Sequence, residues 1–147
     1  KYNKKYMNRL FQNIIKTNKL SESIKIVENY TYDDWKYYIN FNEENYKKNL
    51  VFRNKYIEAF VVCWLPGQKT KIHNHSENGC IFKILEGNME EIKYDSKNLK
   101  ILTKNKVIKN DIRYIDNSIG LHKMINNDEK TVSLHIYSPP YFKPTVF

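Results

Sequence analysis

The fold is decided by residues 67–87, GQKTKIHNHSENGCIFKILEG. At the centre is His73-Asn74-His75, with Gly67 upstream, Cys80 downstream and Gly87 closing the segment. Thr70 and Ile72 favour an extended backbone, in which residues i and i+2 point to the same face. The spacing therefore predicts a strand that aims two imidazoles at one point, a metal-binding geometry needing no help from loop closure. The glycines bracket this strand as turn points.

Working outward, the pattern on both sides is extended. Downstream, strands are predicted over residues 80–85, 89–94, 101–102, 107–108, 112–115, 121–125 and 131–137, separated by turns at Glu86-Gly87-Asn88, 95–100 and 116–120. Upstream, residues 50–53 and 59–65 read as strands, and Pro66-Gly67 ends the second. Short strands at regular spacing indicate a sandwich or barrel. Before about residue 48 the period is helical. Leu10, Phe11, Ile14 and Ile15 predict an amphipathic helix over 5–17, and Ile24 and Val27 a shorter one. Thr31 to Asp34 resembles a capping box that opens a third helix, with Trp35, Tyr38 and Ile39 facing inward. These helices carry no chemical constellation and are expected to cover one side of the sheet.

Composition narrows the function classes. The chain has 147 residues, suited to one domain, and a formal charge of +9. Its lysines are scattered among Asn, Ile and Tyr with no long basic run, so a solvated surface is favoured over a nucleic-acid partner. The two cysteines, Cys63 and Cys80, form no CxxC motif and no disulfide framework. Without a signal peptide or a long apolar run, a soluble cytoplasmic monomer is expected, with no membrane partner. The chain begins at Lys1 rather than Met, so it is read as trimmed or as a fragment.

Two more histidines carry the chemical argument. His122 follows Gly120 at the start of a predicted strand, and a small barrel could bring it beside His73 and His75. Three neutral imidazoles suit Zn, Fe, Cu or Ni and leave coordination positions open. In Ser133-Leu134-His135-Ile136-Tyr137, alternation puts Ser133, His135 and Tyr137 on one face. A Ser–His–Tyr hydrogen-bond line would satisfy that polar face and orient the Tyr137 hydroxyl. The Ser138-Pro139 bond after it is a candidate cis peptide.

The pattern Gly67-x5-His73-x-His75 with Gly87, then His122-x3-Asn126, resembles the two metal motifs of the cupin superfamily. More specifically the chain resembles the cysteine dioxygenase family. The resemblance is carried by His73-Asn74-His75-x4-Cys80, Leu85-Glu86-Gly87-Asn88, Asn117-Ser118-Ile119-Gly120-Leu121-His122 and residues 133–140, and runs from about residue 30 to the C-terminus. Most cupins have a glutamate ligand where Cys80 stands, and the family is marked by its loss. The resemblance implies an all-β fold: one cupin domain over 1–147, with a helical cap over 1–45 packed on one side of a jelly-roll barrel over 46–147.

It also implies roles. His73, His75 and His122 would hold Fe(II). Cys80 and Tyr137 match the pair that forms a thioether cross-link, and Ser133 and His135 match the partners of Tyr137. Arg53 would bind the substrate carboxylate, and Trp64 matches a tryptophan packed near the site. The implied reaction is oxidation of the thiol of L-cysteine by O2 to cysteine sulfinic acid. The physics agrees: a three-His iron is more positive than a two-His-one-carboxylate iron and favours an anionic ligand, which a thiolate supplies. Coordination also lowers the thiol's pKa.

Each assignment has a plainer rival. The His pair could hold structural zinc, Cys63 and Cys80 could be inert core thiols, and Arg53 could be a surface arginine. The protein could act on 3-mercaptopropionate or cysteamine, or be a non-catalytic metal-binding cupin. The sequence also departs from the family. Val51-Phe52 precedes Arg53 where the family shows Tyr-Thr, and the family continues through further strands beyond the position of Phe147. The chain is read as a short version or one lacking that end.

Overall fold

A computed structural model describes residues 4–147. Lys1, Tyr2 and Asn3, the start of the expected helical cap, lie outside the described residues. Helix α1 (Lys5–Ile14) is followed by a 3-10 turn (Leu20–Ser23), helix α2 (Ile24–Glu28) and a second 3-10 turn (Asp34–Tyr38). Eight strands follow: β1 (Lys47–Arg53), β2 (Glu58–Trp64), β3 (Cys80–Glu86), β4 (Asn88–Tyr94), β5 (Ile101–Ile108), β6 (Ile112–Ile115), β7 (Leu121–Ile125) and β8 (Thr131–Tyr137). They form one sheet in the order β1-β2-β8-β3-β6 and another in the order β5-β4-β7, with neighbouring strands antiparallel.

The five-stranded sheet is covered on both faces, which is why β8 is apolar or neutral throughout and buried up to Tyr137. Ala59, Val61, Cys63, Ile81, Leu85, Val132, Leu134 and Ile136 pack against Met7, Leu10, Phe11, Ile14 and Val27 of the helices. On the opposite face, Val62, Trp64, Phe82 and Ile84 pack against Met89, Val107 and Met124 of the smaller sheet. Burying a side chain such as Phe11 stabilises by about 1.5–3 kcal/mol. Lys83 points into the helical side, only 3% exposed. Its ammonium donates to the carbonyls of Val27 (3.2 Å) and Tyr30 (2.6 Å). It thus ties the end of α2 and the residues just after it to the larger sheet.

Four local expectations change. Thr31 does not open a helix. The residue before the second 3-10 turn is Asp33, which makes no capping bond, and the Asp34 carboxylate instead accepts from the Met7 N–H at 2.8 Å and from the Tyr30 hydroxyl. Trp35 is buried, but Ile39 is exposed. Residues 101–102 and 107–108 belong to one eight-residue strand, β5, whose polar middle reads as a break because this edge strand is exposed along most of its length. The His73-Asn74-His75 segment is not a regular strand. It is a loop tied by isolated bridges from Lys69 to Ile125 and from His73 to His122 and Val146. The Ser138-Pro139 bond is cis, as the sequence suggested.

Candidate metal centre

The loop holds its histidines as firmly as a strand would, by other means. The His73 N–H donates to the His122 carbonyl at 3.0 Å, and the His122 N–H donates back to the His73 carbonyl at 3.2 Å. Two residues on, the His75 N–H donates to Asn117 Oδ1 at 2.8 Å, while Asn117 Nδ2 donates to the His75 carbonyl at 3.1 Å. One side-chain amide thus stands in for a neighbouring strand.

The three imidazoles gather as a result. Ring centroids lie 4.6 Å apart for His73 and His122, 4.5 Å for His75 and His122, and 6.0 Å for His73 and His75. His73 Nδ1 is 2.7 Å from the Lys71 carbonyl, an acceptor only, so that nitrogen carries the ring proton. His122 Nδ1 is 2.8 Å from the Glu91 carboxylate. Assigning the His122 proton to that bond leaves bare Nε2 lone pairs on both rings, 3.0 Å apart. A cation between them would relieve that opposition. Two nitrogens at about 2.1 Å from one metal, at right angles, would stand roughly 3.0 Å apart. His75 is 3% exposed, and neither of its ring nitrogens has a hydrogen-bond partner. These orphaned and opposed nitrogens fit a metal ion. The trio is gathered rather than closed, since among the described residues no three His, Cys, Asp or Glu side chains already stand in a ligand cage.

Electrostatics keeps the trio neutral. Burial, then the neighbouring imidazoles, pushes His75 down to about 3. Burial also lowers His73, and lowers His122 well below the usual histidine range. Neutral imidazole is the form that binds metal.

Beside the trio, register builds the rest of the site. Tyr137 of β8 stands opposite Glu58 of β2 on one side and Cys80 of β3 on the other. Cys80 is a free thiol pushed up to about 12 by burial, and burial followed by the Cys80 neighbour raises Tyr137. The Ser133 hydroxyl accepts from the Trp64 indole N–H at 3.0 Å and lies 2.9 Å from His135 Nε2. Tyr137 meets His135 as a ring, with centroids 6.2 Å apart, and not through a hydrogen bond. The expected Ser–His–Tyr line therefore runs instead from Trp64 through Ser133 to His135.

A cavity of about 400 Å³ opens over these residues and is lined by His73, His75, His122, Cys80, Tyr137 and Lys48, among others. Arg53, expected to bind the substrate carboxylate, is not among the lining residues. Its Nε and Nη2 donate to the buried Glu58 carboxylate at 3.0 and 2.8 Å, and its guanidinium stacks on Tyr141. Three lysines line the cavity instead, Lys48, Lys69 and Lys71, and the one beside Tyr137 is Lys48. Its ammonium lies 4.4 Å from the centre of the Phe60 ring and 4.9 Å from that of Tyr137. Lys48 pairs with Val62 and Arg53 with Glu58, roughly 13 Å apart at about 3.3 Å of rise per residue.

Sequence reading missed Lys48, Glu91 and Asn117. Alternation with Tyr46 was a signal for Lys48, obscured by Lys47 beside it. Alternation with the buried Met89 was a signal for Glu91.

A sequence profile for the family described as cysteine dioxygenase type I matches residues 5–147. The human cysteine dioxygenase type 1 is 36% identical over 126 residues, covering 79% of this chain and 63% of that protein. The Bos taurus protein is 36% identical over 116 residues, covering 74% and 58%. The chain thus spans about three-fifths of the length of these curated relatives. Among solved structures, a double-stranded beta-helix protein from Klebsiella pneumoniae aligns with a TM-score of 0.63 at 14% identity, covering 76% of this chain and 91% of that one. A cupin superfamily protein from Desulfitobacterium hafniense aligns with a TM-score of 0.56 at 12% identity, covering 68% and 83%. These likenesses show a small cupin fold.

Proposed function

Since the chain belongs to the cysteine dioxygenase type I family, we propose that it oxidises the thiol of L-cysteine to cysteine sulfinic acid, with ferrous iron held by His73, His75 and His122. The family implies a metal cofactor. The observation that carries the reading is the gathered trio, with His73 and His122 Nε2 opposed at 3.0 Å and both His75 ring nitrogens unpartnered, at the cavity that Cys80, Tyr137 and Lys48 also line.

When bound, ferrous iron supplies the redox chemistry that lets O2 react with a thiolate. The reaction balances without a co-reactant: sulfur gives up four electrons, O2 accepts them, both oxygens end on sulfur, and the thiol proton is released. The chain's own groups bind and orient. Lys48 takes the part expected of Arg53, meeting the substrate carboxylate as a point charge rather than a planar fork. A cationic substrate lacking a carboxylate, such as cysteamine, would meet repulsion there, whereas 3-mercaptopropionate would not. The Tyr137 hydroxyl is a donor at the cavity wall, where it helps fix the reacting atoms. Trp64, Ser133 and His135 brace the strand that carries it. Cys80, directly across from Tyr137, would be the partner for a thioether, formed by loss of the thiol hydrogen and one ring hydrogen with the two electrons passing to O2.

The test is anaerobic Fe(II) loading followed by L-cysteine and isotopically labelled O2. Cysteine sulfinate carrying both labelled oxygens is expected. Bound iron without cysteine-dependent O2 uptake would instead mark a non-catalytic metal-binding cupin.

A further inference from the structure

Glu91 is a charged residue with no assigned task in a place where charge is costly. It lies on β4, 1% exposed, among Met89, Met124 and other buried side chains. One oxygen lies 2.8 Å from His122 Nδ1, and the other has no hydrogen-bond partner. An isolated buried carboxylate is expensive unless it is paired. Its one polar contact is to the ring nitrogen farthest from the centre, so it stands behind the imidazole and not among the metal-facing atoms. Such a carboxylate fixes which ring nitrogen carries the proton and restrains rotation of the ring.

Resting on the metal centre proposed above, we propose that Glu91 is a positioning residue for metal capture: by accepting the His122 Nδ1–H it presents the Nε2 lone pair to the position shared with His73 and His75. His73 has the backbone equivalent in the Lys71 carbonyl. His75 has no such partner on either nitrogen, so two of the three rings are pre-aimed and the third is free to adjust. Capture therefore depends on Glu91 more than its distance from the metal-facing nitrogens suggests.

Cobalt(II) titration of the whole chain tests this, reading affinity and the visible d–d spectrum in wild type, Glu91→Gln, Glu91→Ala and His122→Ala. Zinc-loaded samples add the proton resonance of the His122 Nδ1–H. Glu91→Ala is expected to weaken cobalt binding about 10–100-fold. Glu91→Gln keeps the shape and an acceptor oxygen and should fall between the two. Both should shift the Nδ1–H resonance while the metal-free Glu91→Gln protein keeps its far-UV circular dichroism. A Glu91→Gln protein with wild-type affinity, spectrum and Nδ1–H resonance would overturn the proposal while leaving the metal centre standing. If cobalt affinity is also unchanged in His122→Ala, the metal centre and the proposal fall together.

Discussion

At the scale of single residues, the proposal that Lys48 takes the part expected of Arg53 is directly measurable. Lys48→Ala should lower kcat/KM for L-cysteine roughly 10–100-fold, mainly through KM, because a charge-assisted contact is worth about 1.5–3 kcal/mol. Arg53→Ala should leave KM near wild type but cost roughly 1–3 kcal/mol of stability, since it strips the charged partner from the buried Glu58 carboxylate and leaves it only the Phe142 N–H. The reverse pattern in steady-state kinetics and urea melts would restore Arg53 to the site. The neutral histidines set a pH dependence with a definite sign. His75, pushed down to about 3 from an ordinary 6.5, refuses protons that the unfolded chain accepts. Stability of the metal-free protein is then full above about pH 6.5 and falls as the pH drops toward 3, by about 1.4 kcal/mol per pH unit from this histidine. Urea midpoints that stay flat across this window would contradict the burial argument. The histidines were legible because His73-x-His75 and His122 are rare residue types in a patterned place. Glu91 and Asn117 were not, because their tasks depend on contacts from β4 to β7 and from the turn before β7 to the His75 backbone, which no local spacing encodes.

At the scale of elements, strands with one clear period were readable and elements held by long-range contacts were not. Residues 112–115, 121–125 and 131–137 match β6, β7 and β8 in full. β5 was split because its polar centre, Thr103 to Lys106, is held by its register with β4 rather than by propensity. The His73 loop read as a strand because Asn117 and the His122 backbone supply strand-like bonds to an irregular chain. The link between cap and barrel also escaped notice, since Lys83 looks like a surface lysine interrupting an apolar strand. Lys83→Ala should remove two charge-assisted bonds from the end of α2 and destabilise by about 2 kcal/mol. Hydrogen exchange should show the loss first in the amides of residues 24–30. Equal loss of protection throughout the sheets would argue against a specific tie.

At the scale of the whole molecule, two sheets enclose one apolar core, a helical layer seals the outer face of the larger sheet, and the cavity opens where the sheets part. No helix among the described residues is long and apolar enough to cross a membrane. This plan was readable from strand spacing and the family resemblance, while the lysines lining the cavity were not. Metal should act as a global stabiliser, because it binds the gathered trio and not the unfolded chain. Ferrous ion at a hundredfold excess over its dissociation constant should add about 2.7 kcal/mol to unfolding, seen as a higher Tm that a chelator reverses. The most direct measurement is anomalous diffraction at the iron edge from anaerobically loaded crystals. The account predicts one iron peak bonded to imidazole nitrogens of His73, His75 and His122, with Glu91 behind His122 and no carboxylate bonded to the metal. Iron bonded to fewer than these three rings, or bonded directly to Glu91, would contradict it.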